Sequence, residues 1–199
     1  VTFTGTMTYA GVLSDRHSSW TAVFDSATGA LSDYQMGGRD MLAEPLMPCF
    51  TRAATENDLG ARFDKRLMMW RFPELKVASF EVKEMEDCYQ INVAFEPLSG
   101  RLEDWGEKKS NQAEGKAAVT MTYYVYADGT VAAVESLKDA GNIQKCAPLP
   151  RFGMQMAMPG EYSTVEYFGF GPFENYSDRN SAALMGHYVQ RVEDQYHYG

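Results

Sequence analysis

The stretch Leu149–Arg179 reads LPRFGMQMAMPGEYSTVEYFGFGPFENYSDR and carries the strongest signals for the fold. Its first part places apolar side chains at every second position of 152–158. Alternation with a period of two predicts a strand with one buried face. Pro159-Gly160 then supplies a turn, and a second strand begins near Val165. These residues therefore predict a β-hairpin.

Glycine and proline are concentrated in the second part of the stretch. Gly169, Gly171 and Pro172 fall close together, and the polar run ENYSDR follows at 174–179. Glycine permits backbone angles that other residues avoid, and proline fixes φ. Such conformational control beside an apolar hairpin indicates a shaped corner rather than a tolerant surface loop. A helical turn is predicted directly afterwards, at Ser181–Tyr188.

Strand patterns dominate the rest of the chain. Apolar and polar residues alternate at 89–95 and again at 119–125, and Asp128-Gly129 then supplies a tight hairpin turn. Strands that recur about every ten residues, with turns between them, are typical of an antiparallel β-sandwich. The other segments predicted in this way are the hairpin of 20–25 with 30–34, the hairpin of 76–85 with 88–96, and a long exposed hairpin loop at 98–116.

One short helix is predicted at Ala61–Phe72. Phe63, Leu67 and Trp70 recur at spacings of four and three residues and so share one helix face. Pro73 closes the helix, because proline disfavours helical angles in the residue before it.

The composition limits the classes of function. The chain has 199 residues, 45% of them hydrophobic, which predicts one domain with a substantial core. Its 18 basic and 27 acidic residues give a formal net charge of −9. That charge argues against binding nucleic acid or an anionic membrane surface, and it allows neutral sugars. Neither a membrane span nor a signal peptide is recognisable, so we expect a soluble protein of the cytoplasm or the periplasm.

Cysteine and histidine give no sign of a cofactor. Cys49, Cys88 and Cys146 are odd in number and scattered, which predicts buried free thiols and no disulfide framework. The three histidines show no metal-ligand spacing and no carboxylate at a short fixed interval. We therefore expect no metal site and no cofactor on this chain.

The stretch 149–179 resembles the C-terminal sandwich domain, or small chain, of the large bacterial β-galactosidases of glycoside hydrolase family two. That domain carries a pattern of the form Leu-Pro-Arg-x-Gly, a strand, a proline-containing turn, a strand, and Gly-x-Gly-Pro-x-Glu-x-Tyr-x-Asp-Arg. The matching residues are Leu149, Pro150, Arg151, Gly153, Pro159, Gly169, Gly171, Pro172, Glu174, Tyr176, Asp178 and Arg179.

A second matching segment is Thr51–Gly60, TRAATENDLG. It resembles the family's Arg-Ala-Pro-x-Asp-Asn-Asp-x-Gly, and it departs from that pattern with Ala54 for proline and Glu56 for the first aspartate. The two segments occur in the family's order and at about its separation. The resemblance implies an all-β, galactose-mutarotase-like supersandwich that is incomplete at its C-terminus, so we expect an excised fragment of a larger glycosidase.

The resemblance also implies a division of labour within the complete enzyme. A retaining glycosidase needs two carboxylates about 5–5.5 Å apart, and in this family both lie on an upstream barrel domain. This chain is then a non-catalytic domain that shapes the active-site rim and supports assembly, while the parent enzyme hydrolyses terminal β-D-galactosides. The implied partners are the galactoside, the barrel domain and, in a homo-oligomer, further copies. The carboxylates considered as a catalytic pair within the chain, and interpreted instead as solvated charges, are Glu161, Glu166 and Glu174.

Two polar groups are the candidate sites. The first, the rim segment, contains Arg52, Glu56, Asn57, Asp58 and Gly60. Arg52 is expected to clamp either Glu56 or Asp58, and Asp58 to cap the following helix. Gly60 is expected to supply mobility or a positive φ to a loop that, by resemblance, approaches the active site. Local structural roles are favoured over direct sugar contact.

The second polar group is interpreted as a buried structural network rather than a ligand site. Its members are Glu174, Asn175, Tyr176, Asp178 and Arg179, and Arg151 is assigned to the same structural group. Trp20 and Trp70 are assigned to the core, whereas Trp105 lies in the polar loop.

Two other functions remain open at this stage. A free-standing carbohydrate-binding module would use an exposed aromatic such as Trp105. An aldose mutarotase would need a glutamate and histidines facing one cleft, and the sequence places no histidine beside a carboxylate. Shared fold alone is a weak argument for the second alternative.

Overall fold

The computed structural model describes residues 1–9, 16–100, 114–173, 175 and 180–195, with 8, 9, 16, 17, 64 and 65 described by backbone only. The chain divides into two compact units, 1–157 and 158–199. The strands are β1 (Thr2–Tyr9), β2 (Arg16–Phe24), β3 (Leu31–Met36), β4 (Arg39–Asp40), β5 (Glu44–Pro48), β6 (Val77–Glu84), β7 (Cys88–Phe95), β8 (Leu98–Gly100), β9 (Gly115–Tyr126), β10 (Val131–Gly141), β11 (Met154–Ala157), β12 (Thr164–Gly171) and β13 (Leu184–Arg191). The α-helices are α1 (Glu56–Gly60), α2 (Phe63–Arg66) and α3 (Met68–Arg71), and 3-10 turns cover Ile143–Lys145, Asn180–Ala182 and Val192–Gln195.

The first unit contains two antiparallel sheets. One has the order β1-β2-β3-β5-β11, with β4 paired to β3. The other has the order β10-β9-β7-β6, with β8 paired to β9. The hairpins predicted around Thr28-Gly29, between 76–85 and 88–96, and at Asp128-Gly129 are confirmed. Pairing of β8 with β9 also confirms a hairpin at the ends of 98–116, whose residues 101–113 lie outside the description.

One hydrophobic core lies between these two sheets. The Phe24 ring of β2 lies 4.9 Å from the Tyr123 ring of β9, and Phe3 of β1 lies 5.0 Å from Tyr89 of β7, centroid to centroid. Every second residue of β9 is buried, which is the face that the alternation at 119–125 predicts. Because side chains from both sheets interdigitate, the predicted antiparallel β-sandwich is confirmed.

The turn between β9 and β10 illustrates why its sequence is required. Gly129 has φ of +88°, a region that residues with a Cβ atom rarely adopt. A Cβ atom there would also lie 2.8 Å from the Trp20 ring. Asp128 stabilises the same turn, because its Oδ1 accepts a hydrogen bond of 2.8 Å from the Thr130 amide.

The hairpin predicted within residues 149–179 is wrong. The strand β11 pairs with β5, and β12 pairs with β13. A turn does form after Pro159, whose carbonyl accepts from the Tyr162 amide at 3.0 Å. Alternation identifies a strand but not its partner: β11 pairs with a strand far earlier in the chain, and β12 pairs with a later one. The apolar face predicted at 152–158 is mostly exposed: Phe152, Met156 and Met158 are 49%, 53% and 44% exposed, and Met154 alone of the four packs against the core.

The predicted helix at 61–72 is also corrected. The helical region begins at Glu56 and consists of three short pieces. Arg62, with a left-handed φ of 55°, separates α1 from α2, and Leu67, with φ of −105° and ψ of 23°, separates α2 from α3. Leu67 and Trp70 are buried as predicted, and Phe63 is half-buried against the same core.

The second unit is built on the β12–β13 ribbon. Tyr167 and Tyr188 are cross-strand partners with ring centroids 5.4 Å apart. Gly171 accommodates these rings, because a Cβ atom there would lie 2.3 Å from the Tyr167 hydroxyl. The helical turn predicted at 181–188 is therefore wrong. Asn180–Ala182 form a 3-10 turn, and Leu184–Arg191 form strand β13, because cross-strand ring packing favours an extended backbone.

Within the described residues, no helix has both the length and the apolar character needed to cross a membrane.

Candidate functional site

The rim segment lies in the first unit, where an extended stretch at 51–55 leads into α1. Arg52 and Asp58 form a two-pronged ion pair in which Nη1 contacts Oδ2 and Nη2 lies 3.2 Å from Oδ1. Of the two partners proposed for Arg52, the structure thus selects Asp58. A guanidinium that meets both oxygens of a carboxylate fixes orientation as well as distance. The pair consequently holds the two ends of the segment together.

Thr55, rather than Asp58, is the N-cap of the helix, so the capping prediction is wrong. Thr55 has extended angles of −81° and 167°, and its Oγ1 accepts from the Asp58 amide at 3.3 Å. Asp58 Oδ2 in turn accepts from the Thr55 amide at 2.8 Å. This reciprocal arrangement is a capping box, and the Thr-x-x-Asp spacing was its signal in the sequence. The helix begins at Glu56, five residues before the start that hydrophobic periodicity predicted.

Asp58 is the only charged residue in the described part of the chain that is classed as buried, at 7% exposure. The hydrogen bond from Arg52 is the main influence that lowers the pKa of its carboxyl group, and the hydrogen bonds from Thr55 act in the same direction. Its carboxylate is therefore ionised and already bonded on both oxygens. A group in this state supports the loop and is unsuited to proton transfer or nucleophilic attack.

The outer surface of the segment consists of Glu56, Asn57, Leu59 and Gly60, all exposed. Gly60 does not have a positive φ, contrary to that part of the prediction, and a Cβ atom added to it would meet nothing within 4 Å. The left-handed residue of this region is Arg62. Nothing in this unit's own packing thus requires glycine at position 60.

A shallow depression of about 160 Å³ adjoins the rim segment. It is bordered by Arg52, Ala54, Phe63, Leu67 and Pro150, among others. Sites that enclose a small ligand usually measure about 300–1,000 Å³. The depression is accordingly too small to hold a sugar by itself.

A larger hollow of about 860 Å³ lies between α3 and the ends of β7 and β8. Glu74, Glu96 and Glu114 contribute to its lining, and all three are exposed. Glu74 pairs with Lys76 at 3.2 Å, and its side chain is 82% exposed. Catalytic carboxylates act in sites that exclude water and hold charge in place. Solvent-exposed carboxylates around an open hollow do not meet that requirement.

The second unit contains a histidine–carboxylate pair that the sequence analysis missed. His187 Nε2 lies 2.7 Å from Glu166 Oε1, on neighbouring strands of the β12–β13 ribbon. The two residues are 21 positions apart, so only correct strand pairing would have revealed them. Both side chains are more than half exposed, at 58% and 67%. A side-chain contact in water contributes little to stability, and this one lacks the enclosure that acid–base catalysis needs.

The other predicted polar residues are less informative. Arg151 and Asn175 are exposed, and Glu161 lies exposed after its turn. Neither Arg151 nor Asn175 is therefore part of a buried network. The remaining predicted positions fall outside the described residues: Trp105, Glu174, Tyr176, Asp178 and Arg179.

Cysteine side chains are free, as predicted, with Cys49 and Cys146 buried and Cys88 only half-buried. Among the residues that the structure describes, no three histidine, cysteine, aspartate or glutamate side chains group into a metal site.

The family model and three curated relatives that this chain matches are all described as β-galactosidase. The family model described as beta galactosidase small chain matches residues 16–198. The chain is 26% identical over 178 residues to a β-galactosidase of Halalkalibacterium halodurans, an alignment covering 88% of this chain. It is 29% identical to the β-galactosidases of Priestia megaterium over 178 residues and of Lactobacillus delbrueckii subsp. bulgaricus over 183, covering 89% and 90% of this chain.

In each case the alignment covers only 16% of the relative's own length. The region that the family model matches contains the capped rim segment and every described strand except β1. With a family model that spans nearly all of its residues, the chain belongs to the β-galactosidase small-chain family.

Proposed function

We propose that this chain is a non-catalytic part of a β-galactosidase that shapes the rim of the active site and supports assembly. The hydrolysis of terminal β-D-galactosides is then performed by a barrel domain of the complete enzyme, which supplies both catalytic carboxylates. The observation that supports this proposal most directly is the ion pair between Arg52 and Asp58 in the rim segment. Arg52 and Asp58 satisfy one another, so the buried carboxylate of the segment is engaged in a structural ion pair.

The same arrangement explains how a non-catalytic segment serves an active site. The ion pair and the capping box restrain both ends of the turn, so its outer residues are presented as a defined surface. That surface ends in Leu59, which is 59% exposed, and in Gly60. A fixed surface at the mouth of a neighbouring site positions substrate and restricts water, both of which favour reaction.

Replacing Gly60 by leucine tests this role in the complete enzyme. The added side chain meets no atom of its own unit within 4 Å at Cβ, so we expect the free energy of unfolding to change by less than about 1 kcal/mol. A bulky group on the rim should nevertheless obstruct substrate. We expect kcat/KM for a nitrophenyl β-galactoside to fall at least about tenfold, which corresponds to about 1.4 kcal/mol.

Gly160→Leu is the matched control, because position 160 is equally open and lies outside the rim segment. It should leave both stability and kcat/KM unchanged. Wild-type kcat/KM in a stably folded Gly60→Leu enzyme would show that this segment does not border the active site.

A further inference from the structure

Glu135 lies on the core-facing side of β10, the edge strand of the second sheet. Its register partner is Met121 of β9, which is fully buried. Ala133 and Leu137, two positions away on the same side of β10, both pack against the core. Because strand side chains alternate between faces, the carboxyl group of Glu135 is directed between the two sheets.

Both carboxylate oxygens of Glu135 are buried and have no hydrogen-bond partner among the described residues. This differs from Asp58, whose buried carboxylate receives Arg52 and the Thr55 amide. An anion at position 135 would have neither water nor a donor to stabilise it, whereas the neutral acid loses much less on burial. The geometry therefore favours the protonated form in the folded chain.

The surrounding groups do not compensate a negative charge at Glu135. Among the described residues, Tyr123 of β9, the strand paired with β10, and Tyr34 of β3 in the other sheet pack in this core, whereas Glu44 of β5 is exposed. Both tyrosine hydroxyls already donate to backbone carbonyls, at 3.0 and 2.8 Å. Asp139, farther along β10, accepts from two backbone amides. None of these four groups is cationic.

We propose that Glu135 is a proton-dependent clasp on β10. With its proton, the carboxyl group is neutral and the strand packs against the core; without it, the buried charge loosens the strand from the core. Since β10 is an edge strand paired only to β9 among the described residues, it is the part of the second sheet that such a charge can displace most easily.

The proposal predicts a definite dependence on pH. Burial raises the pKa of Glu135 from 4.5 to about 7. Between these values the folded chain keeps the proton that the unfolded chain releases, so stability falls as the pH rises through this window. Above about pH 7 both states are ionised, and the loss becomes constant.

Urea unfolding of the 199-residue chain and its Glu135→Gln variant, from about pH 5 to about pH 8, tests the clasp. Glutamine keeps the shape of the side chain without the charge. We expect the unfolding constant of the wild type, relative to the variant, to rise about tenfold or more over this range. Glu84→Gln, at an exposed position of β6, is the matched control and should follow the wild type.

Parallel pH profiles of the wild type and Glu135→Gln would overturn the proposal. A second measurement needs no variant: the carbon-13 resonance of the Glu135 carboxyl group should titrate with a midpoint near pH 7. A midpoint below about pH 5.5 would show that the group ionises as an ordinary surface carboxylate, and it would equally overturn the clasp. Neither result depends on galactoside hydrolysis.

Discussion

Replacing Trp70 by alanine is expected to destabilise the first unit by about 3–5 kcal/mol, the range found when a large buried aromatic is truncated. Trp70 of α3 is 2% exposed, and its ring packs edge-on against Phe50 with centroids 5.5 Å apart. Its Nε1 donates a hydrogen bond of 2.8 Å to the carbonyl of Ala147. The substitution therefore creates a cavity and leaves a buried carbonyl without its donor.

Urea denaturation followed by fluorescence and circular dichroism measures this loss. Met68→Ala is the control on the same short helix, because Met68 is 50% exposed and should cost less than about 1 kcal/mol. Trp70→Phe separates the two contributions, since it retains most of the ring and removes the hydrogen bond. A loss below about 1.5 kcal/mol for Trp70→Ala would mean that α3 does not close this end of the core.

Replacing Asp58 by alanine is expected to cost about 2–3 kcal/mol, the second largest effect. The substitution removes an acceptor from the capping box and the partner of the Arg52 guanidinium. Glu56→Ala changes a carboxylate in the same helical turn that is exposed, and it should cost no more than about 0.5 kcal/mol. Equal losses for the two variants would contradict the assignment of Asp58 as the residue that organises the rim segment.

The Asp58 contribution should also depend on pH, in the sense opposite to that of Glu135. Hydrogen bonds from Arg52 and Thr55 lower the pKa of Asp58 below its ordinary value of 3.8. The stabilisation is therefore fully present above that value and is lost as the pH falls through the lowered pKa. Acid unfolding of wild type and Asp58→Ala should accordingly converge at low pH, while the two differ most near neutrality.

Local patterns allowed much of the fold to be predicted. The alternation at 119–125 identified the central strand β9 and its buried face, and Asp128-Gly129 identified the turn that follows. The burial of Trp20 and Trp70 was also predicted correctly. Each of these features depends on residues close together in sequence, where the periods of strands and helices apply directly.

The errors concern interactions between distant residues. Nothing in the local pattern of 154–157 indicates that β5, a hundred residues earlier, is its partner. The contact between Glu166 and His187 was missed because it depends on pairing two strands that are separated in sequence. Helix α1 is an exception: its Thr55-x-x-Asp58 capping box is a local signal, and hydrophobic periodicity alone was too coarse to place the boundary.

The candidate site was predictable in composition and only partly in geometry. Pairing of Arg52 with an acidic residue of the segment was expected, and the structure identifies Asp58 as the partner. The unpaired position of Glu135 required the β9–β10 register, which places it opposite Met121. An acidic residue in an alternating strand is usually assigned to the solvent face, so this exception becomes visible only in three dimensions.

The central claim is that this chain holds a rim in place and does not itself cleave galactosides. The purified 199-residue chain, incubated with a nitrophenyl β-galactoside, should release nitrophenol no faster than buffer does, because in this account both catalytic carboxylates belong to the barrel domain of the complete enzyme. Turnover by the chain that disappears on replacing Glu96 or Glu114 by glutamine would contradict the claim, since it would place a catalytic carboxylate in the hollow beside α3.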